Sequence, residues 1–253
     1  MAPLRVVLAG RRSPFLGGLS SRLTDVGAAV SIVDTASGPS HDLTRCAGGS
    51  LLVFDAHTHP TDFGRPSEPG MPEWAIAHIG DASRTILLSS HLARQECSGF
   101  PLAALEAAVD SAGGATLRLG RVLDPLDPLL VRWRNALKEG VPVAPLPCPL
   151  APVDIGTALT AVAVLARDPD LRGEFACTAP DETTYEEIAD RMRRALQLPE
   201  NRVTPTVYEP SDFGLLRWPE DAAAGVSAVL AEGGVRAGKA AAVLDDVMRC
   251  VLA

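Results

Sequence analysis

An apolar run from Leu4 to Ala9 enters a turn at Gly10, passes through Phe15-Leu16-Gly17-Gly18, and is followed by a second strand-like run that ends at Asp34. This is the outline of a βαβ unit of the kind that holds a dinucleotide, but with its phosphate loop altered. In the usual fingerprint three glycines serve the tight turn, the close approach of backbone to pyrophosphate, and the packing of helix on strand. Here Gly10 and Gly17 stand seven apart, one residue too many, and Pro14 takes the place of the middle glycine. Proline has no N–H to offer a phosphate. The opening therefore constrains the fold more tightly than it constrains the activity.

The rest of the chain repeats the pattern. Apolar runs too short for helices recur at residues 6–9, 28–33, 51–54, 85–88 and 115–119, and they read as buried parallel strands. Helix-like stretches lie between them at 17–26, 73–79 and 102–112, the last with Leu102, Leu105 and Val109 on one face. Strands alternating with helices predict a Rossmann-like α/β fold, doubly wound, with a mainly parallel sheet. Residues 35–50 have room for a stub of helix but hardly for a helix plus a strand, so a trimmed sheet is expected there. After Leu119, prolines at 125, 128, 142, 145, 147, 149 and 152 break the chain into turns and short elements. We therefore expect a sheet domain over 1–122, with 173–178 adding a strand to it, and a smaller Pro-rich and helical lobe over 123–253 that closes over the sheet. Further helices are predicted at 155–166, 185–196, 222–230 and 237–252. The second of these opens with Thr184 and Glu187 in a capping-box arrangement.

Charge and cysteine usage narrow the partners. A net charge of −8, with no long basic block, argues against a nucleic-acid surface and suits small neutral or cationic ligands. The five cysteines, at 46, 97, 148, 177 and 250, show no CxxC spacing, so neither a disulfide framework nor a zinc ribbon is implied. No signal-type apolar stretch opens the chain and no run approaches the length of a membrane span. The expectation is a cytoplasmic protein that binds a small molecule, not a membrane.

Three segments together resemble the extended short-chain dehydrogenase/reductase superfamily, in its NAD-dependent epimerase/dehydratase-like branch. Val7-Leu8-Ala9-Gly10 through Phe15-Leu16-Gly17 is similar to that family's opening strand and G-F-x-G turn. Thr85-Ile86-Leu87-Leu88-Ser89-Ser90 resembles the strand that ends in its active-site serine. Thr116-Leu117-Arg118-Leu119-Gly120-Arg121-Val122, through Asp124-Pro125 to Pro152-Val153-Asp154-Ile155, looks like its "LRPGNVYGP" strand, substrate lobe and "hVDDVA" helix start; Gly173-Glu174-Phe175 and the Thr184 helix follow. The resemblance runs in order along nearly the whole chain.

It implies an NAD or NADP cofactor, and a tyrosine with a lysine four residues later that exchange a proton with substrate while hydride moves. Aligned on the helix that follows Ser90, Phe100 and Ala104 take those two places, and neither can transfer a proton. The only tyrosines, Tyr185 and Tyr208, lie far downstream, Tyr185 in a register that suggests packing. It also implies a homodimer formed through helices 73–79 and 102–112.

Candidate residues fall at strand ends. Gly10, Arg11, Arg12, Phe15, Leu16, Gly17 and Asp34 are the cofactor-binding set. Asp34, ending the second strand, suits an adenosine ribose and favours NAD, whereas Arg11 and Arg12 could pair with the extra phosphate of NADP. With Pro14 in the loop, an occupied site and an emptied or repurposed one both stay open. For catalysis the candidates are Ser90, His91, His57 and His59, the histidines supplying the proton transfer that the absent tyrosine cannot. Asp55-Ala56-His57-Thr58-His59 also resembles the first metal motif of amidohydrolases, but the histidines such a site needs on later strands are absent from the last 162 residues, so no metal is expected. Cys97 has no defined partner and reads as inert. The leading reading is an enzyme doing acid-base chemistry on a small molecule, such as cyclisation, dehydration or isomerisation, in a specialised biosynthetic setting. The alternatives are an NAD(P)-dependent reductase or epimerase with another proton donor, and a non-catalytic ligand-binding or assembly subunit.

Overall fold

A computed structural model of the chain describes residues 3–10, 13–35, 49–56, 78–90, 102–145, 149–204 and 225–252. Elements are numbered in chain order among these residues. Six strands form the main sheet: β1 (Arg5–Gly10), β2 (Ala29–Asp34), β3 (Leu51–Asp55), β4 (Arg84–Ser90), β5 (Ala115–Leu119) and, after a long excursion, β9 (Gly173–Cys177). They lie in the order β2-β1-β3-β4-β5-β9, every pairing parallel. The Rossmann-like, doubly wound sheet is thus the architecture found. Among the described residues no strand lies beyond β2.

The periodicity of the strands decides which helix covers which face. Residues Val6, Leu8, Leu51, Val53, Ile86, Leu88, Leu117 and Leu119 point to one side. There they meet Leu16, Leu19 and Leu23 of helix α1 (Pro14–Asp25). Val7, Ala9, Leu52, Phe54 and Leu87 point to the other, under Leu102, Leu105 and Val109 of α2 (Leu102–Ser111). Central strands sealed on both faces must read as continuous apolar runs, and those runs are what the sequence carries. Leu105, 1% exposed, faces the sheet and is a core position.

The second half of the chain does not stay in its lobe. Helices α3 (Pro128–Lys138), α5 (Tyr185–Ala195) and α7 (Ala240–Leu252) build a separate core from Leu130, Trp133, Leu137, Ile188, Met192, Leu244 and Val247. Helix α4 (Ile155–Arg167), however, puts Ala158, Ala161, Val162 and Leu165 into the α1 side of the sheet core. With β9 also in the sheet, the chain crosses back over residue 122 twice, joined through short pairs β6 (Arg121–Leu123) with β8 (Pro152–Asp154) and β7 (Pro149–Leu150) with β10 (Thr183–Thr184).

Local chemistry accounts for the boundaries. Helix α1 starts three residues earlier than expected because Ser13 caps it, its Oγ accepting from Leu16 N–H at 3.1 Å, and Pro14 suits the first turn. At α5 the capping box is half made. Thr184 Oγ1 accepts from the Glu187 N–H, but the Glu187 carboxylate turns to Thr183 and Arg191. Of the helix expected at 222–230, residues 222–224 lie outside the described residues, and the described part becomes helical at Ala228, as α6 (Ala228–Glu232), because residues 225–227 run antiparallel beside β9: Thr178 N–H donates to Gly225 O and Ser227 N–H to Ala176 O. Of the helix expected at 73–79, only His78 and Ile79 lie within the described residues, and they are helical.

One arginine ties α4 to the sheet. Arg84, at the start of β4, donates to the carbonyls of Leu165 at 2.7 Å and Asp168 at 2.9 Å, and also to Leu171 O. A guanidinium placed there satisfies orphan carbonyls and meets the negative end of the helix dipole. Burial lowers its pKa, with Asp168 pulling the other way. Arg84→Met is expected to cost about 2 kcal/mol, because the carbonyls lose charged donors while the apolar stem is kept. Urea unfolding followed by circular dichroism measures it, and an unchanged midpoint would remove the arginine's capping role.

Candidate functional site

In an open α/β sheet ligands bind beyond the carboxyl ends of the strands, where the winding reverses. Here the chain leaves β1 through α1 for β2 on one side and returns to β3 on the other, so the reversal lies between β1 and β3. Alternation along the strands then sets what faces the α1 side at that edge. Gly10 continues the row of Val6 and Leu8, Asp55 that of Leu51 and Val53, Ser90 that of Ile86 and Leu88, and Asp34 that of Val30. Across β2, β1, β3 and β4 the edge reads carboxylate, gap, carboxylate, hydroxyl. Cys177 ends the row on β9.

Each position differs in what it can offer. Asp34 is half-buried and level with Gly10 in the β1–β2 register, where a ribose-binding carboxylate is found in dinucleotide folds. Ser90 is 6% exposed and pairs in register with Leu119. Leu16 sends its side chain into the core, so it has no side chain to give a ligand, while Phe15 packs half-buried beside it. Gly17 would meet nothing within 4 Å if it carried a Cβ, whereas a Cβ on Gly18 would come within 3.2 Å of Leu159 on α4. The glycine that lets helices approach is Gly18. Burial first, and then the charge of Asp154, push the Cys177 thiol up to about 12, so it is no nucleophile at neutral pH. Arg11, Arg12, His57, His59, His91, Cys97 and Phe100 lie outside the described residues.

The residue that the sequence reading passes over is Asp55. It appears there only as the head of a histidine motif, although its place as the last residue of an apolar run at the winding reversal was the available signal. The metal alternative attached to that motif requires a barrel, and the sheet here is open. Among the described residues no group of three or more ligating side chains could hold a metal ion.

A dinucleotide would lay its pyrophosphate over Gly10 and the head of α1, and there the first turn offers it few amides. Pro14 has no N–H, the Leu16 N–H is taken by Ser13 Oγ, and the Gly17 N–H by Ser13 O at 3.1 Å. The gap that Gly10 leaves is filled by Asp55, whose Cβ lies 2.8 Å and Oδ2 3.5 Å from where a Cβ on Gly10 would sit.

The catalytic pair implied by the resemblance is also missing. Tyr185 is buried in the second core, edge-on to Trp133 with ring centroids 6.1 Å apart, and Ala189 follows it four residues later. Tyr208 is followed by Asp212, and the two lysines of the chain are Lys138 and Lys239. Ala104 lies on α2 and is exposed.

The sequence matches no protein-family model and no curated protein. Solved structures do match. MoeE5 in complex with UDP-glucose and NAD superposes with a TM-score of 0.74 over 98% of both chains, at 13% identity. The fold is that of the extended short-chain dehydrogenases/reductases. DesIV, a dTDP-glucose 4,6-dehydratase from Streptomyces venezuelae with NAD and TYD bound, gives 0.70 over 98% of this chain and 96% of its own, at 16% identity. The UDP-N-acetylglucosamine 4-epimerase from Bacillus cereus gives 0.69, over 98% and 96%, at 11% identity. A short-chain dehydrogenase/reductase fold thus extends over the second lobe as well as the sheet. Among the described residues no helix is long and apolar enough to cross a membrane.

Proposed function

We propose that this protein is an enzyme that acts on a small molecule in the crevice at the carboxyl ends of β1, β3 and β4, by proton transfer without net hydride transfer. One observation carries the reading: the strand-end hydroxyl of Ser90 faces the crevice in a chain that has no tyrosine followed four residues later by lysine. A proton shuttle then has to come from the strand ends, where Ser90 stands and where His57, His59 and His91 follow β3 and β4 in the sequence. Cyclisation, dehydration and isomerisation are the reaction types that need only such a shuttle. From the neighbours' names we carry over the class of polyhydroxylated small substrate, not the hydride step.

The test uses small-molecule extract of the producing cells as substrate pool and mass spectrometry as readout. Conversion by the purified protein without added NAD or NADP, lost in a folded Ser90→Ala variant by at least about tenfold, is the expected result. Conversion that strictly requires added dinucleotide, with the near-ultraviolet signal of nicotinamide reduction, would establish instead the NAD(P)-dependent reductase or epimerase that Asp34 favours. Turnover unchanged in Ser90→Ala would sink the role of the hydroxyl.

A further inference from the structure

We propose that the chain's crossings between the sheet and the second lobe form one locked joint, so that the lobe does not swing as a hinged lid and the two meet a ligand as a single rigid body. What this means for binding rests on the crevice being the ligand site. Two cores joined by crossing chain ordinarily move against each other, because a few residues at the crossing absorb the turn. The described residues make five such crossings, and each is bonded to another. The chain first leaves the sheet at Gly120, whose N–H donates at 3.0 Å to the carbonyl of Cys177, where it leaves a second time. It returns at Ala151, whose carbonyl takes the Arg121 N–H at 3.0 Å. Past the second exit, Ala179 N–H donates to Pro152 O at 3.0 Å. The second return reaches Gly225, which accepts from Thr178 N–H at 3.0 Å and donates to Thr178 Oγ1 at 3.0 Å. The last exit runs from Val235, in the sheet core, to Ala240 of α7, whose N–H donates at 2.7 Å to Asp181 Oδ1, just beyond the second exit.

Packing closes the joint further. Ala151, Thr178 and Ala179 are 0% exposed, so a bond broken there leaves its donor and acceptor without water. Gly120 is by residue type the natural hinge, yet it lies against the Ala151 carbonyl with no room even for a Cβ. Strand β6 feeds both cores, Val122 packing in that of the sheet and Leu123 in that of the lobe. Rotation at any one crossing would therefore break buried bonds at its neighbours. The first two exits follow the carboxyl ends of β5 and β9, the edge of the sheet at which the crevice lies. A ligand then finds these walls already in place, and no binding energy is diverted to closing the lobe.

Native-state hydrogen exchange on the full wild-type chain, read residue by residue by NMR, tests the joint, because a swing must free these amides to water. The amides of Gly120, Arg121, Thr178 and Ala179 are expected to show protection factors within about tenfold of the most protected amides of β1, β3 and β4. Protection at these four that falls short of the sheet by more than about tenfold would mean that the joint opens while the sheet stays folded, and would overturn the proposal. The result is independent of Ser90→Ala turnover. A joint that opens leaves the crevice in place as the reaction site, and a Ser90→Ala variant with full turnover leaves the joint locked.

Discussion

Gly120→Ala is expected to destabilise the protein by about 3 kcal/mol or more, the largest effect of adding a methyl group at any of the described glycines. Gly120 joins β5 to β6, the point at which the chain leaves the sheet for the lobe. A Cβ there would lie 2.0 Å from the carbonyl oxygen of Ala151 and 3.3 Å from Thr178 Cβ. The obstacle is backbone, not the far end of a flexible side chain, so it cannot swing aside. That same Ala151 carbonyl accepts the Arg121 N–H at 3.0 Å, and Gly120 N–H donates to Cys177 O at 3.0 Å. Moving the carbonyl therefore disturbs β6, β8 and β9 together. It also shifts Asp154, which ends β8 and caps α4 through Thr157 N–H at 2.8 Å. Urea unfolding by circular dichroism gives the loss. Gly17→Ala is the control: its Cβ meets nothing within 4 Å and alanine is the better helix former, so a neutral result or a gain of up to about 1 kcal/mol is expected. Equal midpoints for the two variants would mean that the close approach at Gly120 is not present in solution.

What the sequence shows and what it hides divide along physical lines. Strands buried on both faces leave apolar runs whatever their neighbours, so β1, β3, β4 and β5 are legible, and the parallel order follows from their alternation with helices. The end of α1 is harder, because a cap is chosen by a single side chain: the altered glycine spacing draws attention to Pro14, while Ser13 sets the start. Residues 225–227 mislead in the opposite direction. An alanine-rich stretch has helix propensity, but Gly225 adopts a left-handed φ of 73° and the segment bonds to the open edge of β9, a long-range contact that propensity does not report. Asp34 and Ser90 are legible as strand ends. Asp55 as a neighbour of Gly10 is not, because which two strands flank the winding reversal is a property of the sheet order, which no single segment encodes.

Arg118→Met is the second large effect, expected to cost about 3–5 kcal/mol. Arg118 stands on β5, one residue before its end, on the α2 side, 7% exposed. Its Nε and Nη2 donate to the two carboxylate oxygens of Glu106 on α2, at 3.0 and 2.7 Å, and its Nη1 and Nη2 to Glu174 on β9, at 2.7 and 2.9 Å. Burial alone would lower the guanidinium's pKa, yet the hydrogen bonds and charge of Glu106, then of Glu174, outweigh it and hold the pKa above its ordinary value. Methionine keeps much of the apolar stem but strands Glu106, itself 9% exposed, as a buried charge without its cation. The cost lies in that stranded carboxylate, because Glu174 is more than half exposed and can turn to water. One consequence separates this account from simple loss of packing. The double variant Arg118→Met/Glu106→Leu should recover most of the stability, since two desolvated charges are exchanged for apolar contact between α2 and β5. A double-mutant cycle in urea reads it, and a double variant no more stable than Arg118→Met alone would show that the ion pair is not what binds α2 to the sheet.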